Sequence, residues 1–352
     1  MKKAKKGPNI VRIAAEGGVS VATVSRVLNN SDSVDPGTRK KIQELINKYG
    51  YRPNTRKNRV RNVCIMIQDS RLTFSLDVSA VLTGISDVLI RSGCDVTLVF
   101  INQALPPDVI TNALRERRSD SAIVLQSTDE AAFFQFFKEE RIPFILINNS
   151  KDKDTSYICT DNAKGISDAL DHLISLGHRD FGFMVGNPGN RDFITRKNTF
   201  LEYLKGKRGC TGKCHNLKDF SFPEGITESY LGYHIMKQLH DRGLRETAFF
   251  AVNDEFAIGM LKACKETGIS VPGDLSIVGF DDYEISSFVE PSLTTISQDL
   301  NRIGMDAAWG ILALMDGRET RVQHIIEPKL VVRASTGIKP IAAENGHYVK
   351  LS

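Results

Sequence analysis

The feature that most constrains the fold is a change of rhythm at Val63. From there, short unbroken apolar runs at 63–67, 96–101, 122–125, 144–148, 181–185, 248–252 and 277–280 alternate with amphipathic segments of helical length, such as 163–176 and 255–267. An apolar run without polar alternation suits a strand buried on both faces, and strands that alternate with helices return to their sheet in parallel. The expected architecture is α/β, with doubly wound parallel sheets. Roughly 270 residues of this pattern exceed one compact core, so two lobes are expected. Two later extended runs, 294–299 and 325–332, flank a helix at 300–315 and read as crossings back between lobes.

Ahead of Val63 the sequence is different in kind. Asn9 can cap a short helix to about Glu16 that presents Ile10, Ile13 and Ala14 on one face, and Gly17-Gly18 ends it. Ser20 can cap a second helix over 21–29, with Val24, Val27 and Leu28 on its apolar side. Two helices so close in sequence cannot lie parallel, which is helix-turn-helix spacing. Asp35 and Pro36 supply the cap and first turn of a third helix, buried through Ile42, Leu45 and Ile46.

Charge divides the chain at the same place. The first 62 residues hold 15 Lys and Arg against 4 Asp and Glu, a net of +11, and the remainder stands at −7. A basic head is the footprint of a phosphate backbone, and an acidic remainder would be repelled by one. Charge alone also fits a solvated basic tail. The segment 52–62 carries Arg52, Arg56, Lys57, Arg59 and Arg61 and no acid. No membrane span and no secretory signal are read in the sequence, so a cytoplasmic location is expected. The six cysteines are scattered, mostly in apolar segments, as small buried hydrophobes of a reducing compartment are.

The residues then call up a family. Ile13-Ala14-Ala15, the string from Gly18 to Asn29, Val34, Thr38-Arg39 and Gly50-Tyr51-Arg52-Pro53-Asn54 resemble the head of the lactose/galactose repressor (LacI/GalR) family. The sensor resembles it in matching order: Asp161-Asn162, Leu176-Gly177-His178, Arg196, Asn253-Asp254, Gly259, Val278 to Asp282, Pro291 to Ile296, Gly304, Val332-Arg333 and Ser335-Thr336. The likeness spans residues 9 to 336. It implies an all-α helix-turn-helix head on a two-lobed periplasmic-binding-protein-like sensor. The implied function is transcriptional regulation, with repression favoured over activation, and not enzyme catalysis. No cofactor or metal is implied. The implied partners are double-stranded operator DNA, a small sugar-like effector and a second copy in a homodimer, with no membrane. The expected division is a head at 1–54, a shortened basic hinge at 55–62, a sensor at 63–338 and a tail at 339–352 without a leucine heptad. The first lobe is expected at 63–161 and 293–324, the second at 162–292 and 325–338.

The resemblance assigns Val21, Ala22 and Arg26, which share one face of the second helix, to base contact. Arg26 can bond guanine O6 and N7 together, and the two small apolar residues suit a thymine methyl. Ser20, Thr23, Ser25, Asn29 and Thr38 suit phosphate oxygens, although such hydroxyls also cap helices. Tyr51, Asn54 and Arg56 match the family's entry to a hinge that enters the minor groove. Here the sequence departs: Val60 stands where a wedge leucine is usual, and the stretch to the first sensor strand is shorter.

In the sensor, Asp281, Asn253 and Asn148 each follow a strand candidate, where polyol-binding groups belong but where turn residues also occur. The resemblance makes Asp281, Asn253 and Arg196 the hydroxyl-binding set, with Asn148 opposite. Asp69 and Phe74 are candidates for the other lobe. Thr227 stands where many members place a stacking aromatic, with Phe220 and Phe222 nearby, and Lys197-Asn198-Thr199 replaces a usual small glycine. Cys210, Cys214 and His215 have the spacing of half a metal site inside what reads as a loop insertion, with no second pair near them. Gly212-Lys213 lacks the first glycine and the Ser/Thr of a phosphate loop. His178 reads as a helix-end residue, not a catalytic base. A transport-type binding protein and a doubly wound enzyme are the alternative classes.

Overall fold

The computed structural model describes residues 10–28, 33–49, 60–68, 76–101, 119–125, 131–148, 154–223 and 225–339. The chain divides into two compact units, Met1–Val60 and Arg61–Ser352.

The first unit holds three helices, α1 (Ile10–Gly17), α2 (Val21–Leu28) and α3 (Pro36–Tyr49). Their apolar stripes meet in one small core of Ile13, Ala14, Val24, Val27, Val34, Ile42 and Ile46. Gly18, at φ +68, makes the sharp turn between α1 and α2, and the Val19 amide bonds back to Ala14 at 3.0 Å. Ser20 caps α2, its Oγ accepting the Thr23 amide at 3.1 Å, and Asp35 caps α3 by accepting the Thr38 amide at 3.0 Å. The Tyr49 hydroxyl donates to Glu16 at 2.6 Å, and this bond holds the Glu16 carboxyl below its usual range. It clips the end of α3 to α1.

The second unit begins with β1 (Arg61–Gln68), α4 (Leu76–Arg91), β2 (Cys94–Ile101), β3 (Ser121–Leu125), α5 (Ala131–Glu140), β4 (Phe144–Ile147) and β5 (Tyr157–Thr160). It continues with α6 (Asn162–Ser175), β6 (Asp180–Met184), α7 (Arg191–Lys205), β7 (Thr211–His215), α8 (Glu228–Asp241), β8 (Ala248–Ala251), α9 (Asp254–Thr267) and β9 (Ser276–Val278). Last come β10 (Thr295–Ser297), α10 (Leu300–Met315), β11 (Gln323–Ile326) and β12 (Lys329–Val331). Two sheets form, of order β11-β5-β4-β3-β1-β2 and β7-β6-β8-β9, and every ladder in both is parallel. Helices on the faces bury them: β3 is buried at all five positions and β8 at all four, as continuous apolar runs require. A short antiparallel pair, β10 with β12, marks where the chain crosses. The Asp281 amide bonds Ile296 O at 2.8 Å, and parallel bridges at Val278–Thr294 and Asp281–Ser297 set β10 beside the end of β9.

Several sequence expectations are corrected. The strand Gln323–Ile326 pairs in register with Tyr157–Thr160, so residues 325 and 326 belong to the first sheet and the crossing lies beyond them. The extended run read there is two strands, not one. Arg61 and Asn62, expected in the hinge, already belong to β1: Arg61 pairs with Asp316 at 2.6 Å and the Asn62 amide with Asp120 at 2.9 Å. Thr211–His215 is a strand, not a loop insertion. Strands β7 and β11 sit at sheet edges with mostly exposed side chains, so neither carries the doubly buried apolar signature. Lys339, placed in the tail, still bonds Leu176 O at 2.9 Å. Residues 55–59 of the hinge and 340–352 of the tail lie outside the described residues. Among the described residues, no helix is long and apolar enough to cross a membrane.

Helices α8 and α9 pack closely enough that only glycine fits between them. A Cβ on Gly259 would lie 1.9 Å from Ser229 O, and one on Gly232 would lie 2.2 Å from Phe256 O. Since both obstacles are backbone, Gly259→Ala must force the helices apart. It is expected to lower stability by about 1–3 kcal/mol, read from the denaturant midpoint.

Candidate functional site

Helices that follow strands bring their N-termini to the carboxyl ends of the sheets, and four carry an acid in the first turn. These are Asp77 in α4, Asp192 in α7, Glu228 in α8 and Glu255 in α9. Their side chains line one cleft with Asn148, Asn190, Phe193, Arg196, Asn253, Asp281, Tyr283 and Gln298. The space between them is about 30 Å³. That is room for roughly one water, so a larger ligand enters only as these side chains part.

Arg196 organises the floor. It is 2% exposed, and its Nε donates to Asn162 Oδ1 at 2.8 Å while Nη1 donates to Val252 O at 2.7 Å. Nη2 lies 3.5 Å from Asp281 Oδ1, and the guanidinium stacks 3.6 Å above the Phe280 ring. Asn162 relays the contact outward, its Nδ2 donating to Asp192 at 2.9 Å. Asp281 also accepts from Gln298 Nε2 at 2.5 Å and from the Tyr283 hydroxyl. Burial nevertheless pushes its carboxyl well above the usual range, against the pull of Arg196.

Asn253 caps α9. Its Oδ1 accepts the Phe256 amide at 3.0 Å and its Nδ2 donates to Glu228. The close α8–α9 packing makes that second bond possible. Burial raises the Glu228 carboxyl to about 7 and Asp192 to about 6, the latter partly offset by Arg196. Glu255 is raised too, by burial and by the neighbouring Asp77.

Two of the expected residues are held in strained backbone. Asp281 has φ +122 and Asn148 has φ +56, conformations that favour glycine. Asp254 holds the first of these turns in place: it accepts from Thr295 Oγ1 at 2.5 Å, Ser286 Oγ at 2.6 Å and the Tyr283 amide at 3.0 Å.

The structure thus brings Asn148, Arg196, Asn253 and Asp281 together. Asp69 and Phe74 lie outside the described residues. Phe220 packs beneath Arg242, near His215, and Phe222 on the apolar core, so neither is a stacking ring for the cleft; among the described residues Phe193 and Tyr283 are the aromatic side chains that line it. Thr227 caps α8 through the Tyr230 amide. Cys210 and Cys214 are free thiols, and His215 bonds Glu246 at 2.8 Å. Among the described residues no three His, Cys, Asp or Glu side chains are grouped as a metal site. His178 is fully buried between Thr247 and Ser276, each 2.9 Å away, and burial lowers its pKa below the usual imidazole value.

The sequence did not point to Asp77, Asn190, Asp192, Phe193, Glu228, Glu255, Tyr283 and Gln298. One signal was present: an acid in the first turn of a helix that follows a strand of a doubly wound sheet faces the ligand end of that sheet.

On α2, Val21, Ala22 and Arg26 are exposed on the side away from Val24 and Val27. Ser25 is partly exposed. Ser20 and Thr23 share a hydroxyl contact of 2.9 Å at the N-terminus of α2, and Thr38 is tied to Asp35. Val60 is 51% exposed, whereas Asn29, Tyr51, Asn54 and Arg56 lie outside the described residues.

The comparisons agree across both units. Residues 9–54 match the model of bacterial regulatory proteins, lacI family, and residues 170–336 match the periplasmic binding protein-like domain. The probable HTH-type transcriptional repressor ExuR of Bacillus subtilis is 28% identical over 328 residues, covering 90% of this chain and 94% of that protein. The lac repressor dimer bound to operator and the anti-inducer ONPF has the same fold, with a TM-score of 0.70 at 22% identity over 94% of this chain and all of the other. The complex of transcriptional regulator CelR with cellobiose gives a TM-score of 0.68 at 25% identity, covering 93% of this chain and 99% of that one. With a reading head of three helices, a cleft at the ends of two parallel sheets and matches along nearly its whole length, the chain belongs to the lacI family of DNA-binding transcriptional regulators.

Proposed function

We propose that this regulator represses transcription by binding a two-fold symmetric DNA site as a homodimer in the cytoplasm, and that a sugar or sugar derivative in the cleft sets its affinity. The observation that carries the reading is the buried Arg196–Asp281 pair, facing one cleft with Asn253 and Asn148 in a chain that also bears a helix-turn-helix head. Sugar hydroxyls donate and accept at once, and a guanidinium beside a carboxylate and two amides offers both kinds of partner at fixed positions. The similarity to a regulator solved with cellobiose supports the ligand class.

In the head, Arg26 reads a guanine while Val21 and Ala22 take apolar contact. Ser20, Thr23, Ser25, Asn29 and Thr38 meet phosphates, and Tyr51, Asn54, Arg56 and Val60 approach the minor groove. Asp69 and Phe74 complete the cleft from the other lobe. The ligand favours one arrangement of the lobes, and that shift of population changes how two heads span their half-sites.

The test begins with selection of a preferred duplex by the full chain from a random library. Failure to enrich any sequence would sink the reading. On the selected duplex, Arg26→Ala is expected to weaken binding by about 5- to 150-fold, the 1–3 kcal/mol of a bidentate base contact. Asn148→Gly suits the positive φ and removes the amide. It is expected to reduce the effector's influence on operator release about tenfold in the same gel-shift assay, as loss of one hydrogen bond to the ligand would.

A further inference from the structure

We propose that the effector is a cation, a hydroxylated amine of monosaccharide size such as an amino sugar, whose ammonium is held by Glu228 and Asp192 while Arg196, Asp281, Asn148 and Gln298 meet its hydroxyls. The proposal rests on the effector reading of this cleft and narrows it by charge.

Three observations carry it. The first is the imbalance of charge: Asp77, Asp192, Glu228, Glu255 and Asp281 face one another across the cleft, and Arg196 is the sole cation among the described lining residues. Four helix N-termini point the same way, each worth about half a positive charge. Even so, five carboxyl groups face a single guanidinium, an acidic lining that suits a cation and not an anion.

The second is the direction of the unused hydrogen bonds. Gln298 is 2% exposed, its Nε2 is committed to Asp281, and its Oε1 is buried without a partner. Asn148 likewise has a buried Oδ1 with no partner. Both are acceptors, and both line the cleft. Asn253, by contrast, uses its Oδ1 on Phe256 and its Nδ2 on Glu228. What the cleft lacks is donors. An ammonium has three and accepts nothing, whereas a carboxylate or phosphate would bring only acceptors and more negative charge.

The third is that Arg196 is not poised for an anion. Three of its five N–H donors are directed at Asn162, at Val252 O and, at 3.5 Å, at Asp281, so it chiefly braces the protein's own groups and keeps two N–H for neutral hydroxyls. Among the described residues these carboxylates are not grouped as a metal site.

Burial holds Glu228 near 7 and Asp192 near 6, with Asp77, Glu255, Asp281, Tyr283 and Arg196 as their charged or titratable neighbours. Both must be ionised to pair with an ammonium. Affinity should therefore rise as pH climbs from about 6 to about 7 and fall again once the ligand's amine loses its proton.

The experiment is calorimetry on the full chain with glucosamine, galactosamine and mannosamine, their N-acetyl forms, the parent hexoses, glucuronate and glucose 6-phosphate. At least one amino sugar is expected to bind ten times or more tighter than its parent and its N-acetyl form. Glu228→Gln should erase about tenfold of that preference; if the variant does not fold, the wild-type comparison decides alone. A parent hexose, N-acetyl sugar, uronate or phosphate binding as tightly as the amino sugar overturns the cationic effector and leaves the sugar reading standing. Binding by none of the panel overturns both.

Discussion

The buried guanidinium of Arg196 is the contact on which the second unit's site depends. It reaches from α7 to Asn162 at the start of α6, to the Val252 carbonyl just after β8, and towards Asp281 in the turn after β9, with Phe280 beneath it. Three separately folded pieces of chain are thereby referred to one planar group. An arginine can do this because its donors lie in a fixed fork, whereas a lysine would offer one mobile point charge. Removing it would leave Asp281 buried beside Asp254 with its charge unanswered, the costly way to break a buried pair.

Around that contact the strain is local and held from outside. Asp281 sits at φ +122 because its amide is bound to Ile296 and the turn after it is pinned by Asp254 to Ser286 and the Tyr283 amide. The acid that does the pinning is not the one that faces the cleft. Asp254 and Asp281 are both buried, yet Asp254 is surrounded by three short donors from the protein, and Asp281 keeps part of its surface for the cleft. Adjacent sequence motifs therefore divide the work: one carboxylate builds the turn and the other is presented by it.

Much of this was legible in the sequence. Continuous apolar runs gave the central strands, the Gly17-Gly18 punctuation and the Ser20 and Asp35 caps gave the head, and strand-end position together with the family resemblance pointed to Asn148, Asn253 and Asp281. What escaped had physical reasons. Strands β7 and β11 lie at edges, where exposed side chains such as Lys213 and His324 erase the buried pattern. The acids Asp77, Asp192, Glu228 and Glu255 were passed over because an acid in the first turn of a helix has an ordinary explanation, complementing the helix dipole. Only the topology, which turns four such helix ends towards one place, makes them a site. Gln298 could not be found locally either, since its role comes from a crossing strand that brings it to Asp281 from 17 positions away.

The charge of the cleft also bears on how a small molecule could control a DNA-binding head. A ligand shifts an equilibrium only by the difference between its affinities for the two arrangements, and allosteric couplings of about 1–3 kcal/mol are typical. Hydroxyl contacts made to one lobe are present whether the cleft is open or closed and contribute nothing to that difference. Residues from both sides are needed, and the cleft has them: Asp77, Asn148 and Gln298 lie with the first sheet and its connections, whereas Asp192, Glu228 and Glu255 belong to helices of the second. Drawing carboxylates from both sides together is opposed by their mutual repulsion, which is why Asp77 raises the carboxyls of Glu228 and Glu255. A positive charge placed between them removes that opposition in the closed arrangement alone. One half-buried ion pair, at an effective dielectric near 20 and a separation of 4 Å, supplies about 4 kcal/mol before desolvation is counted. A fraction of that is enough to move the equilibrium, so compensation of charge across the cleft can itself be the coupling.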